Sequence, residues 1–191
     1  MNAKGSAERA AQAWLVGDAR IEAAEFARVR AALASTGQPA LLARAELLRC
    51  ATRVASLVFE PCTGFDALAQ DAQPAEQAYA RYLAGAATPA DVALLPEAHR
   101  ALVQGAAPEA ALAVIQDPLS RLVAAGVLQR QGRASGEVAA RAVDTASAQG
   151  WRLPLLAWLR LQQQRARETG AGDEAARLQR RIDLVSGTAA R

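Results

Sequence analysis

The sequence has little of what builds sheets and active sites. Among its 191 residues Phe, Tyr and Trp together make up 4%, and there are one His, one Met and two Cys. Val, Ile and the aromatics are too few to fill the faces of a sheet, which excludes a β-sandwich, a β-barrel or a Rossmann-type sheet. No run of 18 apolar residues occurs, so no segment reads as a membrane-spanning helix. One His and two Cys, far apart, do not make a metal-ligand set. No phosphate-binding loop is present either: residues 132–136 (GRASG) carry no Lys and read as a turn. Lysine itself is nearly missing, Lys4 standing alone against 21 Arg.

What is abundant is Ala, with 50 residues, and Leu, with 23. The 52% hydrophobic share argues against global disorder. The expectation is an all-α chain, antiparallel helical hairpins stacked around a central helix, as one domain over 1–191. Within it an N-terminal helical arm spans 6–35, a central part 39–105, and C-terminal hairpins 106–186. The excess of Arg over Lys beside so much Ala reports a GC-rich genome and carries no function. The net charge of +3 is too small to imply a nucleic-acid partner. Its distribution is uneven: residues 1–150 carry net −1 and residues 151–191 net +4.

Glycines punctuate the chain. Gly17, Gly37, Gly64, Gly85, Gly105, Gly126, Gly150, Gly170 and Gly187 recur roughly every 20 residues, where each would end a helix in the left-handed conformation. Pro39, Pro74, Pro89, Pro108 and Pro118 mark helix starts, and Ser135 and Asp173 are candidate N-caps. The strongest pattern is the central helix, 39–58. Leu41, Ala45, Leu48 and Ala55 form one stripe, and Leu47, Cys50, Val54 and Leu57 a second, so it packs on two sides. Glu46 and Arg49 on its polar strip are spaced to pair. Residues 59–72 read as a loop pinned by Phe59 and Phe65, with a short helix at 65–70. A helix at 74–85 places Tyr79 and Tyr82 on one face. Further helices are expected at 108–115, 118–128, 135–149, 152–169 and 173–186.

Cys50 and Cys62 are the most informative pair. Were the central helix to run to Val58, Cys50 would lie about 12 Å below its end. The four residues beyond reach at most about 14 Å, so a disulfide is just possible. It becomes easy if the helix stops two residues earlier, and would then contribute about 3 kcal/mol. The other reading is a buried Cys50 on an apolar seam and an unrelated Cys62. Their separation is not that of a Cys-x-x-Cys redox centre.

Other residues support less specific readings. His99, with Glu97 close by, has the chemistry of a general base, but residues 96–100 read as the exposed first turn of a helix. Glu46, Glu60, Asp66 and Asp71, with Tyr79, gather around the irregular loop without a spacing that demands glycosidase chemistry. No Ser-His-Asp arrangement is legible. Arg152, Arg160, Arg165, Arg167, Arg177, Arg180 and Arg181 could form a face for an anionic partner, interrupted by Glu168, Asp173, Glu174 and Asp183. Trp151 and Trp158, seven apart, would share a face if both are helical, and either line a groove or pack between hairpins. The candidate partner-binding residues are Trp151, Arg152, Trp158, Arg160, Arg177 and Arg181.

Two resemblances bear on function. Residues 151–185, with a Leu- and Trp-rich first helix, the turn at 170–173 and a second helix carrying Ala175, Ala176, Leu178 and Arg181, resemble one hairpin of a tetratricopeptide-like repeat. This implies hairpin stacking and a binding scaffold. Over its length the chain also resembles uncharacterised lipoproteins of GC-rich Gram-negative bacteria. The carriers are Arg49-Cys50-Ala51, Phe59-Glu60-Pro61-Cys62 and residues 144–151 (DTASAQGW). That resemblance implies an envelope location, periplasmic or anchored at the outer membrane by a lipid on the precursor, and brings no activity. The polar opening from Met1 to Ser6 has no apolar signal core, so the chain either is cytosolic or starts after a removed signal. The expected function is a non-enzymatic helical scaffold of the envelope that binds another protein and needs no cofactor. The alternative is a cytosolic protein binding nucleic acid or another anionic partner through the C-terminal Arg face.

Overall fold

Ala-rich segments interrupted by Gly and Pro produce helices and, among the described residues, no strand. In the computed structural model these are residues 3–187. The first two residues of the polar opening lie outside them. The elements are α1 (Ala3–Val16), α2 (Ala19–Ala34), α3 (Pro39–Ala55), α4 (Thr63–Asp66), α5 (Pro74–Leu83), a 3₁₀ segment (Pro89–Leu94), α6 (Glu97–Val103), α7 (Pro108–Val114), α8 (Pro118–Arg130), α9 (Gly136–Gln149), α10 (Arg152–Glu168) and α11 (Gly172–Ser186). The fold is all-α, as expected, and α3 is its hub, packed against α1, α2, α4, α5 and α8. From α8 the chain continues as a stack, α8 on α9, α9 on α10 and α10 on α11, with α1 returning to touch α10. The arm expected at 6–35 is a hairpin of two helices that breaks at Gly17.

The local signals explain most boundaries. Pro39, Pro74, Pro89, Pro108 and Pro118 each sit at a helix start, where the missing N–H is no loss. Ser135 caps α9 by accepting the Val138 N–H at 3.2 Å. Asp173 lies inside the first turn of α11 and does not cap it; Ala171 is the residue before the helix.

Three further expectations are corrected. The central helix ends at Ala55, not at residue 58. Its exit is a Schellman turn: Val58 N–H donates to the Arg53 carbonyl at 2.9 Å and Leu57 N–H to the Val54 carbonyl at 3.0 Å. Leu57 occupies the left-handed position at φ +59°, a place glycine usually takes, so no glycine marked this helix end. Gly126, expected at a break, lies inside α8 because α3 passes so close. A Cβ there would stand 2.2 Å from the Val54 carbonyl oxygen. Gly64 likewise lies within α4, against the Glu46 carboxylate.

The main core runs from Leu15 and α3 through Tyr82, Leu95 and Leu112 to Leu122, Leu128, Val143, Trp158, Leu159 and Leu178. A satellite cluster under the N-terminal hairpin holds Ala10, Phe26, Val29 and Ala45, with Ala7 and Leu33 packed against it.

Candidate functional site

The irregular segment after α3 folds back on the helix it leaves. Cys50 and Cys62 are joined by a disulfide, with Cα atoms 5.9 Å apart. Ending α3 at Ala55 leaves enough chain for the return. Phe65 is buried in the core, whereas Phe59 stays on the surface with Arg130 over its ring, 5.5 Å from the centroid. The loop is also tied by an ion pair, Arg53 Nε–H to Glu60 at 3.2 Å.

A cavity of about 230 Å³ opens beside the disulfide. Leu47, Val54, Phe65 and Leu83 make its apolar floor, with Cys50 and Cys62 in the wall. Arg53, Glu60, Asp66 and Arg130 are its charged groups. Of the four carboxylates expected around the loop, the structure thus brings Glu60 and Asp66 to one cavity. Glu46 stays beside Gly64 of α4 but is not in the cavity lining, and it accepts from Arg30 Nε at 2.6 Å. It does not pair with Arg49, which reaches Glu22 at 2.7 Å. The helix spacing allowed the pairing of Glu46 with Arg49, but each found a better partner on α2.

On the other side of Leu47 lies an open groove of about 470 Å³ between α3, α5 and the 3₁₀ segment. Leu48, Tyr79, Leu94, Leu95 and Pro96 line it, and Arg44 and Glu76 form an ion pair at its edge. Leu94 is among the exposed large hydrophobic side chains. The 3₁₀ segment is locked in place by buried Asp91. Its carboxylate accepts from the Thr88 N–H at 2.9 Å and pairs with Arg81 of α5. The Arg81 guanidinium and the Thr88 amide hold the Asp91 pKa well below the usual carboxylate range.

His99 is buried, contrary to the surface position expected from its place in a short helix. α6 turns it inward onto Tyr79 and Tyr82, with ring centroids 5.7 and 4.6 Å away. Among the described residues, neither Nδ1 of His99 nor the Tyr82 hydroxyl has a hydrogen-bond partner. Burial lowers the imidazole pKa to about 4 although Asp117 pulls it the other way, so His99 is neutral at pH 7. Burial also raises both tyrosines, with Asp117 adding to the effect at Tyr79 and Tyr79 at Tyr82. The cluster keeps its buried groups neutral.

The expected partner-binding residues are divided by the fold. Trp158 is fully buried and its Nε1–H donates to the Ala55 carbonyl at 3.1 Å; it joins α10 to α3 and presents no contact surface. Trp151 is buried too, donating to Gln12 Oε1 at 3.0 Å. Arg152 and Arg160 are exposed. Arg177 is exposed and bound to Glu174 on its own helix through two hydrogen bonds of 2.7 Å, and Arg181 is half-buried. Arg165, from the wider Arg set, donates to the Ala134 and Ser135 carbonyls and to Gln129. It clamps the loop before α9.

Sequence reasoning missed Arg130 and Leu83 at the cavity and Leu94 at the groove. Arg130 and Leu83 carry no signal, being brought in from distant helices. Leu94 had one: two leucines between Pro89 and Pro96, in a stretch too short for an ordinary helix. Comparison with protein-family models, with curated proteins and with solved structures finds no match.

Proposed function

We propose that this chain is a helical interaction protein of the bacterial cell envelope that binds another protein through the groove between α3, α5 and the 3₁₀ segment. The observation that carries the reading is the open groove itself, where exposed Leu94 and Pro96 and half-buried Leu48 and Tyr79 line one patch. Such a patch of apolar and aromatic side chains with a charged edge suits a protein partner. At that edge Arg44 is 64% exposed while its partner Glu76 is buried at 5%, so the charge offered to the outside is a cation. The matching occupant is an apolar segment of the partner with an acidic residue beside it. The disulfide supports the compartment, because such bonds persist outside the reducing cytosol. The lipoprotein resemblance points the same way.

The test is site-specific photo-crosslinking in cells. A photoreactive residue at Leu94 is compared with one at Val114, which is 69% exposed and away from the groove. The expected result is a discrete adduct from position 94, abolished by Arg44→Glu, and none from position 114. Adducts confined to probes at Arg160 or Arg177 would transfer the reading to the C-terminal Arg face. Salt-dependent nucleic-acid binding by the purified protein would then test the anionic alternative. Equal labelling at 94 and 114 would remove the groove.

A further inference from the structure

The cavity beside the disulfide has a composition that the protein-binding groove does not explain. Its floor is apolar, and its charged groups divide into two kinds. Arg53 and Glu60 are engaged with each other, although the Glu60 side chain is 56% exposed. Arg53 donates to Glu60, to Glu22 at 3.1 Å, and to the Arg49 carbonyl at 3.1 Å. Asp66 and Arg130 are not so engaged. Among the described residues Asp66, exposed on α4, forms no ion pair, and Arg130 has a 3.4 Å hydrogen bond to the Leu83 carbonyl and its contact with Phe59. Two opposite charges therefore stand at one small cavity without pairing with each other. Both belong to the lining of a ligand-sized space that also includes Leu47, Val54, Phe65 and Leu83. About 230 Å³ is below the range of roughly 300–1,000 Å³ typical of drug-sized ligands, so the space suits a smaller body.

We propose that this cavity binds a small apolar zwitterion, an amino acid with a branched or aromatic side chain. Its carboxylate pairs with Arg130, its ammonium with Asp66, and its side chain sits on the apolar floor. Each part of the ligand answers one feature. The two charges satisfy Asp66 and Arg130, and the apolar body displaces water from Leu47, Phe65 and Leu83. One wall of the cavity is the loop carrying Glu60, Pro61 and Cys62, which the disulfide holds against α3. Binding therefore depends on the oxidised form. The site is distinct from the groove, and its failure would leave the protein-binding reading standing.

The experiment is an NMR titration of the oxidised, isotope-labelled chain with L-leucine and L-phenylalanine. Glycine is the charged control without a body, and N-acetyl-L-leucine amide the apolar control without charges. The expected result is saturable movement of the Phe65, Leu83 and Ala84 resonances with the two apolar amino acids. Both controls bind at least about tenfold more weakly, as do Asp66→Asn and Arg130→Gln. Both substitutions are at exposed positions, so an unchanged spectrum elsewhere certifies the fold. Reduction of the disulfide abolishes the response while the α8–α11 resonances stay in place. No saturable shift with either amino acid overturns the proposal. So does binding of the blocked leucine as tightly as the free one, since the charges would then be idle. L-leucyl-glycine binding more tightly than L-leucine would assign the site to peptide ends and overturn it in its present form.

Discussion

The two ends of the molecule are held by different forces. Between α8 and α11 the buried contacts are mainly apolar. Val123, Leu128, Val138, Val143, Trp158, Leu159, Leu178 and Ile182 are all buried in one cluster. Between the α1–α2 hairpin and α3 the apolar cluster is small, and charges fill the gap. Glu22, Glu25, Glu46 and Arg53 are all buried there. Glu22 takes Arg49 and Arg53, Glu46 takes Arg30, and Glu25 takes Arg9 and Arg28. Phe26 and Trp14 serve this network as much as the core, with Arg49 over the first ring at 4.6 Å and Arg53 over the second at 4.0 Å. The difference follows from composition. A helix pair rich in Ala leaves a shallow interface that long Arg and Glu side chains can span and Ala cannot. The stability of such an interface depends on every charge keeping its partner, because an abandoned buried ion costs far more than the pair contributes.

The largest expected effect breaks the apolar end. Trp158→Ala removes a fully buried ring and its hydrogen bond to Ala55, and costs about 4 kcal/mol in urea denaturation. At the charged end Glu22→Gln leaves Arg49 and Arg53 without their shared anion and costs about 3 kcal/mol. The triple replacement Glu22→Leu, Arg49→Leu, Arg53→Met recovers most of that loss. If the triple variant is no better than Glu22→Gln, packing and not charge dominates there. The Glu22 pKa reports the same balance: burial raises it, but Arg49 and Arg53 outweigh burial and the net shift is downward.

Between the two ends, His99 makes stability depend on acidity. Its pKa falls from 6.5 unfolded to about 4 folded, so the unfolded chain binds the extra proton. Its contribution is intact above pH 6.5 and is lost progressively as pH drops toward 4, amounting to roughly 2–3 kcal/mol by pH 4.5. Denaturation midpoints across this window check it, and His99→Phe should flatten the profile. Gly126→Ala forces α8 away from the Val54 carbonyl and costs about 2 kcal/mol. The smallest effect is at the C-terminal surface. Arg177→Ala breaks an exposed pair with Glu174 and should leave the denaturation midpoint unchanged.

Much of this architecture was legible from residue order. The helices from Pro108 to Ser186 fall within two residues of the expected bounds, because Pro, Ser and Gly act on the backbone next to them. The end of α3 was not legible, since Leu57 sits where the glycine rule expects Gly. The disulfide was open to reasoning from chain reach, but the cavity it walls was not. Arg130 lies 47 residues from Leu83, the carbonyl it touches. The inward turn of His99 was hidden for a similar reason, being imposed by Tyr79 and Tyr82 on another helix. The shared helix face expected of Trp151 and Trp158 does not form as read, because Trp151 is the residue before α10 and only Trp158 lies in the helix; spacing also does not tell an open face from a covered one.

The sequence by itself determined that this chain is all-α, where most helices start and stop, and that Cys50 can reach Cys62. These follow from forces acting over a few residues: the i to i+4 hydrogen bond, proline's missing donor, glycine's access to positive φ, and the short reach of a loop. The tertiary structure alone decided which Arg meets which Glu, which aromatic rings are covered, and that Asp66 and Arg130 line one cavity unpaired. Those outcomes depend on how helices distant in the chain cross and how closely they approach. A side chain's neighbours across a helix interface are set by that packing and not by its neighbours in sequence.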